Sequence, residues 1–282
     1  MNSSIQVAIQ GAKGSFHDIV SRLYFGNDIE ILPCDTFKES IDLVRKNPTI
    51  VGAIAIENTI AGSLLQNYNL IKDSDLRIFG EHKLRIKHSL VALDGQDITN
   101  IREVHSHHMA LLQCEQFLSE LPHIQLVESD DTAKSAYEIA TKKQFGIAGI
   151  CHADTAKQFG LKILAEGIET NKHNFTRFLM VAHKDKVEKM VQQEQCNKAS
   201  LVFSLPHEQG SLSKVLTVLS CYHINLTKIQ SLPIIGQEWE YLFYIDLSFE
   251  NYLRYTQAVD AIRPLIRNIK ILGEYSEGEQ TI

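Results

Sequence analysis

Over residues 1–183, short runs of aliphatic and β-branched side chains alternate with stretches whose apolar positions recur at helical spacing. Ile5–Gln10 reads as a strand, and the glycines of Gly11–Ser15 make a turn into a helix. Ile29–Pro33 is the next strand, before a helix that Asp35 or Thr36 can cap. Ile50–Glu57 is almost continuously apolar, the pattern of a strand buried on both faces of a parallel sheet. Beyond Leu76, strands are predicted at Arg85–Leu93, Glu103–Ser106, Ile124–Glu128, Gly146–Ile150, Ile163–Glu166 and Arg177–Ala182. Ser106 stands at an N-cap position before Ala110, Leu111, Cys114, Phe117, Leu118 and Leu121, Asp131 caps a further helix, and another ends near Gly160. Repeated βα units predict an α/β doubly wound parallel sheet, and a version split into two lobes would offer a cleft for a small anion.

Lys184–Lys198 is polar, with few residues able to anchor a core, and reads as a linker with some helical tendency. From Ala199 the pattern changes. Leu201, Phe203 and Leu205 mark a strand, and Leu212, Val215, Leu216, Leu219 and Tyr222 one helix face. Ile224–Ile229 and Trp239–Leu247 are strands joined through Pro233–Gln237, followed by a helix from Leu253 to Ile266 and a strand at Ile269–Leu272. The order is βαββαβ, ferredoxin-like. The predicted organisation is therefore a domain over 1–183, a linker over 184–198 and a second domain over 199–282.

Composition agrees with two folded domains: 282 residues, 44% hydrophobic and 22% charged. A net charge of −6, from 28 Lys and Arg against 34 Asp and Glu, argues against electrostatic nucleic-acid binding. The longest apolar runs, such as Val51–Ile56, fall far short of the ~20 residues that cross a bilayer. The first residues lack the basic and apolar regions of a secretory leader. Cys34, Cys114, Cys151, Cys196 and Cys221 are scattered and contain no Cys-x-x-Cys pair, which supports neither a disulfide framework nor a zinc site. A cytoplasmic, reduced protein is expected.

Four segments offer chemistry, each beside a plainer reading. Gly11-Ala-Lys-Gly14-Ser15-Phe16 opens a helix whose backbone N–H groups and Ser15 can hold an anion, though glycines at such turns are ordinary and neither nucleotide-loop spacing is met. Glu57-Asn58-Thr59-Ile60-Ala61-Gly62-Ser63 follows the most apolar strand, where ligands of open α/β sheets bind, or it simply caps the next helix. In His105-Ser106-His107-His108, two imidazoles share a strand face, but nothing completes a metal set; Ser106 and Gln113 are better placed to hydrogen-bond a ligand. In Asn174-Phe-Thr176-Arg177-Phe178, Arg177 can clamp a carboxylate and Thr176 can donate to a leaving hydroxyl, or the two are a turn and a surface charge.

Together these motifs resemble the series of prephenate dehydratase: Gly11-x-x-Gly14-Ser15-Phe16, Glu57-Asn58-Thr59-Ile60-x-Gly62-Ser63, Ser106-His107-x-x-Ala110-Leu111-x-Gln113-Cys114 and Thr176-Arg177-Phe178. The second domain resembles that family's ACT regulatory module, through Leu201-Val-Phe-Ser-Leu-Pro, Gly210-Ser-Leu, Ile224-Asn-Leu-Thr-Lys and Trp239-Glu-Tyr-Leu-Phe-Tyr. The resemblance implies a two-lobed catalytic domain like a type II periplasmic binding protein, and conversion of prephenate to phenylpyruvate in phenylalanine synthesis, with no metal or other cofactor. It assigns catalysis to Thr176, Glu57 and Asn58, and substrate binding to Ser15, Thr59, Ser106, Gln113, Arg177 and Phe178. Phenylalanine is the implied effector, at Gly210, Ser211, Leu212, Asn225, Leu226, Gln230 and Ser231, in a homodimer or homotetramer with that site at a subunit junction.

This chain departs from the family where Ser106-His107-His108-Met109 replaces the usual Ser-His-Pro-Gln, where Leu65 replaces a frequent asparagine, and where Gln230-Ser231-Leu232-Pro233 replaces Glu-Ser-Arg-Pro. The last change removes an acidic and a basic group from the effector segment. Arogenate dehydration, and a non-catalytic amino-acid sensor, are the alternatives that the resemblance leaves open.

Overall fold

The computed structural model describes residues 4–234, 236 and 240–282. The chain begins β1 (Ile5–Gln10), α1 (Phe16–Phe25), β2 (Ile29–Cys34), α2 (Phe37–Lys46), β3 (Val51–Asn58), β4 (Gly62–Ser63), α3 (Leu65–Asp73) and β5 (Leu76–Arg85). It continues with β6 (Ser89–Ala92), β7 (Glu103–His107), α4 (His108–Gln113), α5 (Glu115–Ser119), β8 (Gln125–Ser129), α6 (Thr132–Lys142), β9 (Ile147–Cys151), α7 (Ala153–Gln158) and β10 (Lys162–Glu166). Then come β11 (Phe175–His183), α8 (Lys184–Met190), β12 (Lys198–Ser204), α9 (Ser211–Cys221), β13 (Asn225–Pro233), β14 (Tyr241–Ser248), α10 (Tyr252–Ile262), β15 (Arg267–Tyr275) and β16 (Gln280–Thr281). Trp239, predicted to start a strand, lies outside the described residues. None of the described helices is long and apolar enough to cross a membrane.

Two lobes follow from two crossings. The chain leaves the first lobe after β5, builds a five-stranded sheet in the order β10-β6-β9-β7-β8, and returns on β11. An outgoing and a returning strand side by side must be antiparallel, and β11 runs antiparallel to both β5 and β3. The first-lobe sheet is therefore mixed: parallel pairing joins β1 to β2 and β3, but the doubly wound parallel sheet predicted from the alternation is not what forms. The strand predicted at Arg85–Leu93 is in fact the end of β5, a crossing, and β6. Most of β5 was missed because Gly80, Glu81 and His82 interrupt its apolar pattern, although both charged-type residues are buried.

Local chemistry explains several boundaries. Thr36 and Glu39 form a reciprocal capping box at α2, and Asp131 accepts from Lys134 N at the start of α6. Ser106, by contrast, is not a cap: His107 accepts from Met109 N there, and the Ser106 hydroxyl donates to the Ile150 carbonyl at 2.8 Å.

The C-terminal βαββαβ unit has strand order β13-β14-β12-β15, the ferredoxin-like arrangement. Helices α9 and α10 cover one face through Val215, Leu219, Tyr255, Ala258 and Ile262. The other face packs Val202, Tyr244, Leu272 and Tyr275 into the same core as Ile54, Ile56, Tyr68 and Ile71 of the first lobe. This double coverage buries every residue of β12. The segment read as a linker is likewise structured: α8 inserts Val187 into the first-lobe core, and Lys198 heads β12 as a buried residue.

The two sheets are continuous at one point, where Gly273 of β15 pairs in parallel with Ile78 of β5. A Cβ at position 273 would lie 2.2 Å from the Ile78 carbonyl oxygen and 2.6 Å from its Cβ, so only glycine permits the junction. Gly273→Ala should therefore lower the unfolding free energy by about 1–3 kcal/mol, read as a fall in the thermal midpoint; an unchanged midpoint would contradict this junction.

Candidate active site

A cavity of about 350 Å³ lies between the lobes, lined by Ser15, Phe16, His17, Asn58, Thr176 and Phe178 from the first and His88, His107, Gln113, Asp130 and Asp131 from the second. Strand alternation decides which residues reach it. On β11, Thr176 and Phe178 face the cavity, so Arg177 must face away. On β3 the pairing register shifts beside Glu57, with Thr176 opposite Asn58, Arg177 opposite Glu57 and Phe178 opposite Ala55. That bulge lets Ala55 and Asn58 both line the cavity although they are three residues apart.

A chain of amides runs through the site with a polarity that can be deduced. Asn58 Oδ1 accepts from Ile60 N at 2.9 Å and Ala61 N at 2.8 Å, so this end is the oxygen and Nδ2 is the donor. Nδ2 donates to Asn174 Oδ1 at 2.8 Å and to Thr176 Oγ1 at 3.0 Å. Asn174 Nδ2 then donates to Gln113 Oε1 at 2.9 Å, which also accepts from His88 Nε2 at 2.9 Å. Two consequences follow. Thr176 accepts from Asn58, leaving its own proton available to a ligand, and the Gln113 amide N–H groups are likewise free. His88 carries its proton on Nε2, its Nδ1 is buried without a partner, and burial lowers its pKa despite Gln113 and Glu169 nearby.

Ser15 precedes helix α1, is 4% exposed, and its Oγ has no partner. Its hydroxyl stands at the cavity wall immediately before the first turn of α1. His17 accepts from Ala55 N at 3.3 Å and meets Phe178 edge-on; burial lowers its pKa to about 4, so it is neutral at pH 7. Asp131 faces the cavity, and burial raises its pKa although backbone N–H groups of α6 oppose the shift. Neither Lys nor Arg is among the lining residues.

Of the residues singled out in the sequence, the cavity thus gathers Ser15, Asn58, Gln113, Thr176 and Phe178. Glu57 does not reach it; it faces the C-terminal unit and pairs with Lys228 at 2.8 Å. Thr59 is tied up between His173 O and Phe175 N, each at 2.9 Å, and Ser106 is fully buried. Arg177 is no carboxylate clamp: it donates to Glu81 at 2.6 Å, to Asp246, and to the Tyr275 hydroxyl at 3.1 Å, on the far face of the sheet. His105 bonds Glu103, and His107 caps α4. Asn174, His17, His88 and Asp131 were missed as site residues. Asn174 was legible by its two-residue spacing from Thr176, whereas nothing in the sequence around His88 marks it.

The effector set is not gathered within one chain. Gly210 caps α9 just after β12, whose last residue Ser204 pairs with Leu242, itself opposite Leu232. Asn225 instead pairs with Ser248, which faces Lys198 at the other end of β12. Ser211 and Leu212 therefore share the sheet end of Gln230 and Ser231, and Asn225 and Leu226 lie at the opposite end.

Residues 7–186 match the family model described as prephenate dehydratase. The chain is 34% identical to an Arabidopsis thaliana protein named arogenate dehydratase/prephenate dehydratase 2, over 97% of this chain and 73% of that one. Among solved structures it resembles the Arthrobacter aurescens prephenate dehydratase bound to L-Phe, at 26% identity and TM-score 0.83, covering 96% and 90% of the two chains. It also resembles GqqA, described as a quorum-quenching acylase, at 26% identity and TM-score 0.85, covering 96% and 98%.

Because the folded pKa of His17 is about 4 against an ordinary 6.5, the unfolded chain takes up a proton first as pH falls. Stability from neutral His17 is complete above pH 6.5 and is lost progressively towards pH 4, by about 2 kcal/mol on reaching pH 5. Urea unfolding at pH 7 and pH 5 should show this loss in the wild type and a smaller one in His17→Gln; equal losses would contradict the assignment.

Proposed function

This chain belongs to the prephenate dehydratase family, and from that premise we propose that its cleft converts prephenate to phenylpyruvate with Thr176 donating to the departing hydroxyl. The observation that carries this reading is the polarity of the amide chain, in which the cavity-lining Thr176 hydroxyl accepts from Asn58 and keeps its own proton for a ligand. In the reaction, the bond to the ring carboxylate breaks and releases carbon dioxide. Its electron pair enters the ring and expels the hydroxyl, which takes one proton from solvent and leaves as water. Aromatisation supplies the driving force, so the protein needs to stabilise the developing hydroxide rather than provide a strong acid. Thr176, fixed by Asn58, serves that role, and the Gln113 amide is a second donor. Carboxylate binding falls to Ser15 and the start of α1, since Arg177 is engaged elsewhere. Phe178 and Phe16 supply apolar walls for the ring.

Arogenate is a second reading that one feature favours. The cavity contains Asp130 and Asp131 and no cationic side chain, which suits an ammonium group on the substrate. Purified protein should form phenylpyruvate from prephenate, or phenylalanine from arogenate; turnover of neither would refute the reading. If arogenate is the better substrate, Asp131→Asn should lower kcat/KM for it by about 10-fold or more while sparing prephenate.

The C-terminal unit we read as an ACT module binding phenylalanine between two copies. β13 is an edge strand, bonded only to β14 among the described residues. Antiparallel pairing of β13 with its copy would bring Asn225 and Leu226 of one chain beside Gln230, Ser231 and the Gly210–Leu212 turn of the other. A homodimer is thus the smallest unit with a complete effector site, and calorimetry with L-phenylalanine should register binding that Gly210→Val abolishes. No heat at millimolar phenylalanine would refute the regulatory role.

A further inference from the structure

The catalytic strand pair has a second face, and charged residues of the C-terminal sheet hold it. Thr176 and Asn58 are directly opposite each other across β11 and β3, as are their chain neighbours Arg177 and Glu57. The first two face the cleft, the second two the C-terminal unit. Lys228 of β13 pairs with Glu57 at 2.8 Å and donates to Ser63 of β4 at 2.8 Å. Asp246 of β14 accepts from Arg177 and, at 2.6 Å, from the Ser200 hydroxyl. Lys198 donates to Glu81 at 2.6 Å, and Glu81 in turn accepts from Arg177 at 2.6 Å. The backbone between these anchors is the bulge that aims Asn58.

We propose that Lys228 and Asp246 are positioning residues for the reaction: by fixing Glu57 and Arg177 they set where Asn58 and Thr176 sit in the cleft. Neither touches the cavity. The bulge inserts Ile56 as an extra residue in β3 next to Glu57, so the local geometry leading to Asn58 depends on what Glu57 is tied to. A displacement of about 1 Å of a donor lowers turnover by about 100-fold. The C-terminal sheet is therefore part of the catalytic framework even with no effector bound. Lys228 also lies on β13 between Leu226 and Gln230, so a ligand on the outer edge of that strand would act on the same link.

This inference rests on the reading of Thr176 and Asn58 as the catalytic pair, and the experiment separates the two. Full-length Lys228→Met, Asp246→Asn and Thr176→Val are assayed without phenylalanine, each checked by thermal melting to be folded at the assay temperature. Lys228→Met and Asp246→Asn should lose about 10- to 100-fold in kcat with KM changed less than about threefold, and Lys228→Arg should recover most of the loss. The double variant Glu57→Gln/Lys228→Met should be no slower than Lys228→Met alone. Wild-type kcat in both Lys228→Met and Asp246→Asn, beside an inactive Thr176→Val, would overturn the positioning role and leave the catalytic reading intact. An active Thr176→Val would instead sink the reading beneath it. Should Asp246→Asn fail to fold, the Glu57–Lys228 pair, whose Glu57 side chain is 37% exposed, decides the matter alone, with an unimpaired Lys228→Met counting against the proposal.

Discussion

Side chains on a strand alternate between the faces of its sheet, and at the centre of this molecule that constraint divides four adjacent residues two and two. Thr176 and Asn58 enter the cleft, so Arg177 and Glu57 must point the other way. A guanidinium directed into a protein interior has to be paired, because its desolvation is otherwise very costly. Glu81 and Asp246 supply the countercharge, and Tyr275 and Ser200 complete the hydrogen bonding. Burial alone would raise the Glu81 pKa, yet Arg177 and Lys198 bring it below the ordinary value. The C-terminal sheet thus closes against the first lobe around a compensated cluster of charge, and one hydrophobic core spans both.

On the cleft side the same economy of charge appears in reverse. Beside the Asp130 and Asp131 carboxylates the cavity has neutral donors: the Ser15 and Thr176 hydroxyls and the Gln113 amide, with the Asn58 amide holding Asn174 and Thr176 from behind. The directions of the Gln113 amide and of Thr176 are fixed from outside the cavity by two backbone N–H groups on Asn58 Oδ1. Such a preset chain costs little reorganisation when charge develops on a leaving hydroxyl, which is the condition under which neutral dipoles stabilise a transition state well.

Much of this was legible in the sequence, and the failures share a cause. β1 begins and ends where the alternation places it, and α2 starts at the capping Thr36. The βαββαβ order after residue 199 also stands. What could not be read were positions whose polar character is explained by a distant partner. Glu81 and His82 disguised β5, and Lys198 passed for linker because its partner Glu81 is 117 residues away. Arg177 looked like a ligand clamp for the same reason, although the one-residue step from Thr176 already implied the opposite face. Ser106 carried a cap-like sequence context, but the carbonyl that takes its proton belongs to a neighbouring strand. Local patterns predict local structure; a buried charge is intelligible only with the fold in hand.

The central claim is that a hydroxyl at position 176, held by Asn58 and with its proton free, performs the chemistry. The most direct test replaces that hydroxyl with a methyl of equal shape: steady-state phenylpyruvate formation from prephenate by Thr176→Val, beside Thr176→Ser and wild type. Loss of one transition-state donor predicts a fall in kcat of about 100- to 1000-fold for Thr176→Val, with KM little changed and Thr176→Ser retaining most of the rate. Wild-type kcat in Thr176→Val would contradict the account, because no step of it can proceed at full rate without that donor.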